Sequence, residues 1–282
     1  MKKTALTAFL VCFVAGCAMA MSTRPVEPLA QTPPMGWNSF DSYGVYLHEK
    51  AAQDNLEAMA KKLKPHGYEY FVIDNGWFGE YSLQEGSIYP SEKHANDIRI
   101  NEYGYFLPSE VYFPSGLKPI AERCKALGLK FGVHLMRGIP RKAVELNLPI
   151  QGTSYTARDI ADTDPKENCT WCNYCYGVDM SKPGAQAWYD GLIQYIADMG
   201  VDMIKYDDIV PHPDEVEAVS KAIAKTGKPI LLSLSPGGTG SMKDDSDTES
   251  TIDLTHSQPT DEFASYGPEP MLGALDAPLR DA

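Results

Sequence analysis

A chain of 282 residues is long enough for one large domain or two small ones. It is 43% hydrophobic, 10% aromatic and 22% charged, a globular composition. Its 38 acidic against 25 basic residues leave a formal charge of −13, which argues against a nucleic-acid partner and leaves a small neutral or cationic molecule open.

Residues 1–20 read as a signal peptide: Lys2 and Lys3 form a basic start, Ala5 to Ala15 a short apolar stretch, and Ala18-Met19-Ala20 a small-residue cleavage site. Val14-Ala15-Gly16-Cys17 also resembles a lipobox, so the expected destination is export, either free or anchored through a lipid on Cys17. In a bacterium that means the periplasm, the medium or a lipoprotein-decorated membrane face. Residues 21–33 are polar and proline-containing and read as a linker.

From residue 34 onward, short apolar runs alternate with helical patterns. Met35 to Asn38 is a brief candidate strand. In Glu49 to Leu63, Ala52, Leu56, Met59 and Leu63 recur at three and four, a helix that Pro65-His66-Gly67 stops. Tyr68 to Asp74 is rich in strand formers. Asn75 to about Ser115 is long, polar and rich in Tyr and Gly, and loops of that length in compact domains are usually functional. A helix over Leu117 to Leu127 and a strand over Leu129 to Leu135 follow. The next loop carries Cys169, Cys172 and Cys175, which, with Cys124, are the cysteines beyond the leader. In an oxidising compartment a disulfide or a set of thiols is expected there rather than a cluster, which would need a fourth ligand close by. A helix (Gly184 to Met199), a strand (Val201 to Tyr206), a helix (Asp214 to Thr226) and a strand (Pro229 to Ser235) complete the pattern.

Alternating β and α units with apolar strands predict a parallel sheet covered by helices. No glycine-rich dinucleotide fingerprint follows the first strand, and several strands end in polar residues, as they do in a (β/α)8 TIM barrel. The fold class is therefore α/β, an incomplete barrel of about five βα units over 34–237. From 238 to 282 there are ten acidic residues against two basic ones and no sustained apolar run, so that segment reads as an irregular, disordered tail.

Side chains alternate along a strand. In Val201 to Asp208, one face carries Val201, Met203, Lys205 and Asp207, while the other carries Ile204, Tyr206 and Asp208. With the first set turned to the barrel axis, Lys205 and Asp207 lie side by side at the open end, either as catalytic groups or as an ion pair capping the strand. The same test puts Asp74 and Val72 together, with Asn75 opposite, and directs His134 to the mouth beside Gly132.

Six segments resemble glycoside hydrolase family 27, the α-galactosidase family: PPMGWNSFDSYG (33–44), YEYFVIDNGWF (68–78), LGLKFGVHLMRGIPRKAV (127–144), YGVDMSKPGAQAWYD (176–190), GVDMIKYDD (200–208) and PILLSLSPG (229–237). They look most like its bacterial branch carrying an H-x-M-R-G-I-P-R motif. The resemblance implies a catalytic barrel and retaining hydrolysis of terminal α-D-galactosides, with no metal and no organic cofactor. It places the nucleophile on Asp207, sugar-hydroxyl contacts on Lys205, Asp74 and Asn75, and an aromatic wall on Phe40, with Trp37 or Trp77 as further stacking rings. His134 stands where the family has a tyrosine, Asn75 where it has a second aspartate, and Ser235 where it reads the sugar 2-substituent. Those departures open the sugar to a galactoside, a β-L-arabinopyranoside or a relative. The family cysteine after the nucleophile is replaced, since Ile209 and Val210 stand there. The acid/base aspartate of an R-x-x-x-D segment has no counterpart; Asp244, Asp245 and Asp247 lie in the interval without a motif. The expected function is an exported glycosidase impaired by that gap, or alternatively a carbohydrate-binding remnant without catalysis.

Overall fold

The computed structural model describes residues 29–30, 32–79, 98–167, 169 and 174–235, together with the backbone of 257–259. The signal peptide, Cys17, Cys172 and Asp244, Asp245 and Asp247 lie outside the described residues.

Chain order begins with β1 (Gly36–Asn38), α1 (Phe40–Tyr43), α2 (Glu49–Lys62) and β2 (Tyr70–Ile73). It continues through α3 (Lys118–Ala126), β3 (Lys130–Met136), β4 (Ile139–Pro140), α4 (Arg141–Glu145), α5 (Ala157–Ile160), β5 (Ala161–Asp162) and β6 (Cys175–Val178). The last elements are α6 (Ala185–Asp198), β7 (Met203–Asp207), α7 (Pro213–Thr226), β8 (Leu231–Ser235) and β9 (Ser257–Pro259).

Strands β1, β2, β3, β7, β8 and β9 form one parallel sheet in that order. The five strands expected from sequence are all present, curled into half of a barrel with helices on the outside. β9 was not expected, because Ser257-Gln258-Pro259 has no strand-forming side chains. Its backbone supplies what the side chains do not, covering the ladder edge of β8 that would otherwise be bare.

The alternation rule holds along the sheet. Tyr70, Val72, Met203 and Leu231 make a small inner cluster, with Leu29 and Ala30 packed against it. The end of the stretch read as a linker therefore rests on the barrel interior. Phe71, Ile73, Phe131, Val133, Ile204, Tyr206 and Leu232 point outward into the main core with the helices. Val201 also belongs to that outer core rather than to the inner face predicted for it, because β7 starts only at Met203 and the alternation has no hold on the turn before it.

α6 buries Ala185, Trp188, Tyr189, Leu192, Ile193 and Ile196, a stripe at three-to-four spacing, each large apolar member contributing about 1.5–3 kcal/mol. α7 begins with Pro213 at its first position and Asp214 and Glu215 in its first turn, and ends at Gly227 with φ +67°. Its first turn thus delivers Glu215 beneath the C-terminal end of β7.

Between β3 and β7, the cysteine-bearing loop folds into a small antiparallel sheet in the order β4-β6-β5. Strands of two to four residues carry too few positions for periodicity to mark them. Cys124 is buried in α3 and makes no disulfide, and burial pushes its thiol up to about 12. The two sheets meet at Gly138, whose φ is +89° and whose added Cβ would run into the Tyr176 carbonyl. Gly138→Ala is therefore expected to cost about 2 kcal/mol, read as a lowered urea midpoint at unchanged slope.

Candidate active site

The carboxyl ends of β1, β2, β3, β7 and β8 converge on a charged cluster. Register places His134 opposite Lys205, and Asp207 opposite Ser235. Lys205 Nζ lies 2.9 Å from Asp74 Oδ2 and 3.6 Å from Asp207 Oδ2. His134 Nε2 lies 3.0 Å from that same Asp207 oxygen, and the bond requires its proton on Nε2. The two strands thus place one ammonium between two carboxylates, as alternation predicted.

Asp74 is tied on every side. Its Oδ2 also accepts from Asn38 Nδ2 at 2.6 Å, its Oδ1 accepts from the Asn75 backbone N–H at 2.7 Å, and its own N–H donates to Ser39 Oγ. Asp207 is different. Its Oδ1 is buried and has no hydrogen-bond partner among the described residues, and the same is true of His134 Nδ1. These two orphaned atoms are acceptor and acceptor-or-donor positions that a bound hydroxylated molecule can meet.

Burial opposes ionisation of both carboxyls. Lys205 and His134 outweigh it and hold Asp207 well below the usual carboxylate range, with Asp74 also lowered. Burial likewise disfavours the Lys205 ammonium, yet Asp74 and Asp207 raise it well above the ordinary lysine value. Asp207 is therefore an anion with a free oxygen in a nearly dry setting. Asp74, His134 and Asp207 present three ligand atoms within 4.8 Å of one another, a grouping that could suit a metal ion. Lys205 already supplies the positive charge there, and a second cation would be repelled by it.

Phe40 stands at the mouth, with Lys205 Nζ 5.7 Å from its ring centroid. The other two candidate rings are elsewhere. Trp37 is buried and stacked on Phe71 at 4.8 Å, and Trp77 is buried with its indole N–H donating to the His134 carbonyl. Both are packing residues: Trp37 faces outward from β1 into the main core, and Trp77, in the turn after β2, packs edge-on against Phe78 and Phe106. Trp77 braces the His134 peptide from behind. Asn75 is buried and accepts from the Tyr174 hydroxyl at 3.0 Å, leaving its amide nitrogen as the donor it can offer. Ser235 sits at the end of β8, partly exposed and opposite Asp207, whose carboxylate its hydroxyl helps keep ionised.

Three contributors escaped the sequence reading. Asn38 could have been found by the same alternation, since Trp37 packs outward and Asn38 follows it. Asp41, in the first turn of α1, is lifted above its usual range by partial burial, with Lys205 pulling against the rise and Asp74 adding to it. Nothing in a one-turn helix announces that placement. Arg137 is buried, and its Nη1 pairs with Glu215 Oε1 at 2.8 Å. Only the tertiary fold brings α7 to it.

No family model matches the chain. It is 30% identical over 224 residues to α-galactosidase A of Cellvibrio japonicus, covering 77% of this chain and 41% of that protein. The crystal structure of a family 27 β-L-arabinopyranosidase from Geobacillus stearothermophilus aligns with a TM-score of 0.66 at 45% identity, over 74% of this chain and 49% of that one. A variant of that enzyme in complex with arabinose aligns with a TM-score of 0.67 at 46% identity, with the same coverage. The chain thus spans between two fifths and one half of the length of these relatives. In the half-barrel, the strand order and the share of its length that aligns, the chain is similar to enzymes of glycoside hydrolase family 27, the α-galactosidase-like family.

Proposed function

We propose that the chain is the nucleophile-bearing half of an exported retaining glycosidase that acts on terminal α-D-galactosides. One observation carries this reading: Asp207 is an ionised, buried carboxylate at the carboxyl end of β7, with one oxygen held by Lys205 and His134 and the other without a geometric hydrogen-bond partner. A nucleophile needs that combination, fixed in place yet with a lone pair to give. In this reading Oδ1 attacks the anomeric carbon and displaces the leaving oxygen. Lys205, Asp74 and His134 hold sugar hydroxyls, Phe40 packs on the ring, and Asn75 and Ser235 border it. A deeply depressed Asp207 stays ionised from mildly acidic to neutral pH, so the attacking group itself sets no acid limb to the rate in that range.

Retaining hydrolysis also needs an acid/base carboxyl about 5–5.5 Å from the nucleophile. No described residue is assigned to that role. Natural substrates, whose leaving groups must be protonated, are therefore expected to react slowly. The test uses dinitrophenyl glycosides, which depart without a proton, alongside calorimetric titration with galactose and arabinose. Release from the α-galactoside with retained configuration supports the reading, and preference for the β-L-arabinopyranoside would move the substrate to that sugar. Binding without release even from these activated compounds would make the chain a carbohydrate binder. Neither binding nor release would end the glycosidase reading.

A further inference from the structure

We propose that Arg137 is a positioning residue for Asp207, acting through the turn at Asp208; the inference rests on the reading of Asp207 as the nucleophile. β3 and β7 stay in register up to the pair Met136 and Asp207. One residue further, the Arg137 backbone N–H donates to the Asp207 carbonyl at 3.0 Å, so the ladder is extended by one bond past the strand end. The chain then turns at Asp208, which adopts φ +60°, a left-handed conformation uncommon outside glycine and tolerated by aspartate more than by most residues.

The Asp208 carboxyl is held by the Arg137 side chain, with the Cys169 thiol as a weaker second partner. Arg137 Nε donates to Asp208 Oδ2 at 3.3 Å, Nη1 to Glu215 Oε1 at 2.8 Å, and Nη2 to the Glu167 carbonyl. Glu215 is itself fixed by the Tyr189 hydroxyl. One guanidinium therefore ties the end of β7 to α7 and to the loop before β6, and it is buried to 3% exposure in doing so. Neither Asp208 nor Arg137 touches Asp207 Oδ1, so their effect on it is indirect. The turn sends Asp208 outward and leaves Asp207 inward, and the peptide between them carries the backbone of the nucleophile. Oδ1 has no hydrogen bond of good geometry, so its direction depends on the partners of Oδ2, on Ser235 beside the carboxylate and on that peptide. A planar five-donor group suits a three-point anchor that lysine cannot reproduce.

Arg137→Lys leaves a charge near Glu215 but loses most of the anchor, and it carries a risk of misfolding. Asp208→Gly is the cleaner variant, because glycine accepts φ +60° without strain and only the carboxylate, with its bonds to Arg137 and Cys169, is removed. Two readouts are taken on the full chain. One is the rate at which an activated 2-fluoro-galactosyl fluoride, which needs no acid, labels Asp207. The other is the downfield imidazole proton of His134 on its bond to Asp207, assigned by its loss in His134→Asn, which needs no reaction. In Asp208→Gly, labelling is expected to slow roughly ten- to a hundredfold, the misplacement range of an oriented reactant, while the melting temperature holds and the His134 proton broadens or moves. A variant that folds as well as wild type with an unmoved His134 proton overturns the inference. A moved proton in a chain that is never labelled at Asp207 supports the positioning role and removes the nucleophile reading instead.

Discussion

Asp207→Asn is expected to lower dinitrophenyl-galactoside turnover by on the order of 10⁴-fold or more, the scale seen when a covalent nucleophile is removed. The amide has the shape of the carboxylate, and Lys205 keeps its contact with Asp74 at 2.9 Å, so the fold is expected to survive the change. A smaller variant, Asp207→Gly, leaves space where the carboxylate stood. Added azide is then expected to restore turnover by attacking the anomeric carbon from the vacated side, yielding the glycosyl azide of inverted configuration. Product NMR checks this. Turnover of Asp207→Asn near the wild-type rate would assign attack to another group and leave the Lys205–Asp207 contact as a strand cap.

Lys205→Met is expected to cost about 3–5 kcal/mol near neutral pH, because it strands two buried carboxylates without their cation. Asp74 is 1% and Asp207 8% exposed, so solvent does little to screen them. The sign of the pH dependence separates this explanation from lost packing. In the wild type both folded-state values lie below the unfolded ones, so their stabilisation is present above the unfolded carboxylate range and is lost only as pH falls through the depressed values. Without Lys205, burial and the repulsion between Asp74 and Asp207 prevail and both values rise. The folded variant then holds protons that the unfolded chain releases, so it should regain stability as pH falls from neutral towards the unfolded carboxylate range. Calorimetric melts across that interval read the difference. A variant that tracks the wild type at every pH would show that the cluster is more hydrated than its geometry implies.

Several parts of the architecture were legible because each rests on a local rule. The helix over 49–62 follows from apolar spacing, and the five barrel strands follow from apolar runs bounded by turn residues. The choice of Asp207 over Asp208 needed only alternation, since both lie at the end of one strand whose Ile204 and Tyr206 must face helices. The resemblance to a family placed the nucleophile on the same residue by a separate route. Misreadings arose where a rule was extended past its element. Val201 lies before β7 begins, and the further stacking rings, Trp37 and Trp77, are buried in the core, the first on the outward face of β1 and the second in the turn after β2.

By itself, then, the sequence determined the order of the five barrel strands and the helices between them, which side chains of β2, β3 and β7 share a face, and that a carboxylate and an ammonium lie side by side at the end of β7. Those are consequences of period two and of burial, which act along a single segment. Only the tertiary structure decided which oxygen of Asp207 is engaged, that Asp41 joins the cluster, and that Arg137 binds Asp208, Glu215 and the Glu167 carbonyl at once. Those partners lie up to 78 residues apart in the chain, and no local pattern encodes a contact made by packing α7 beneath β7.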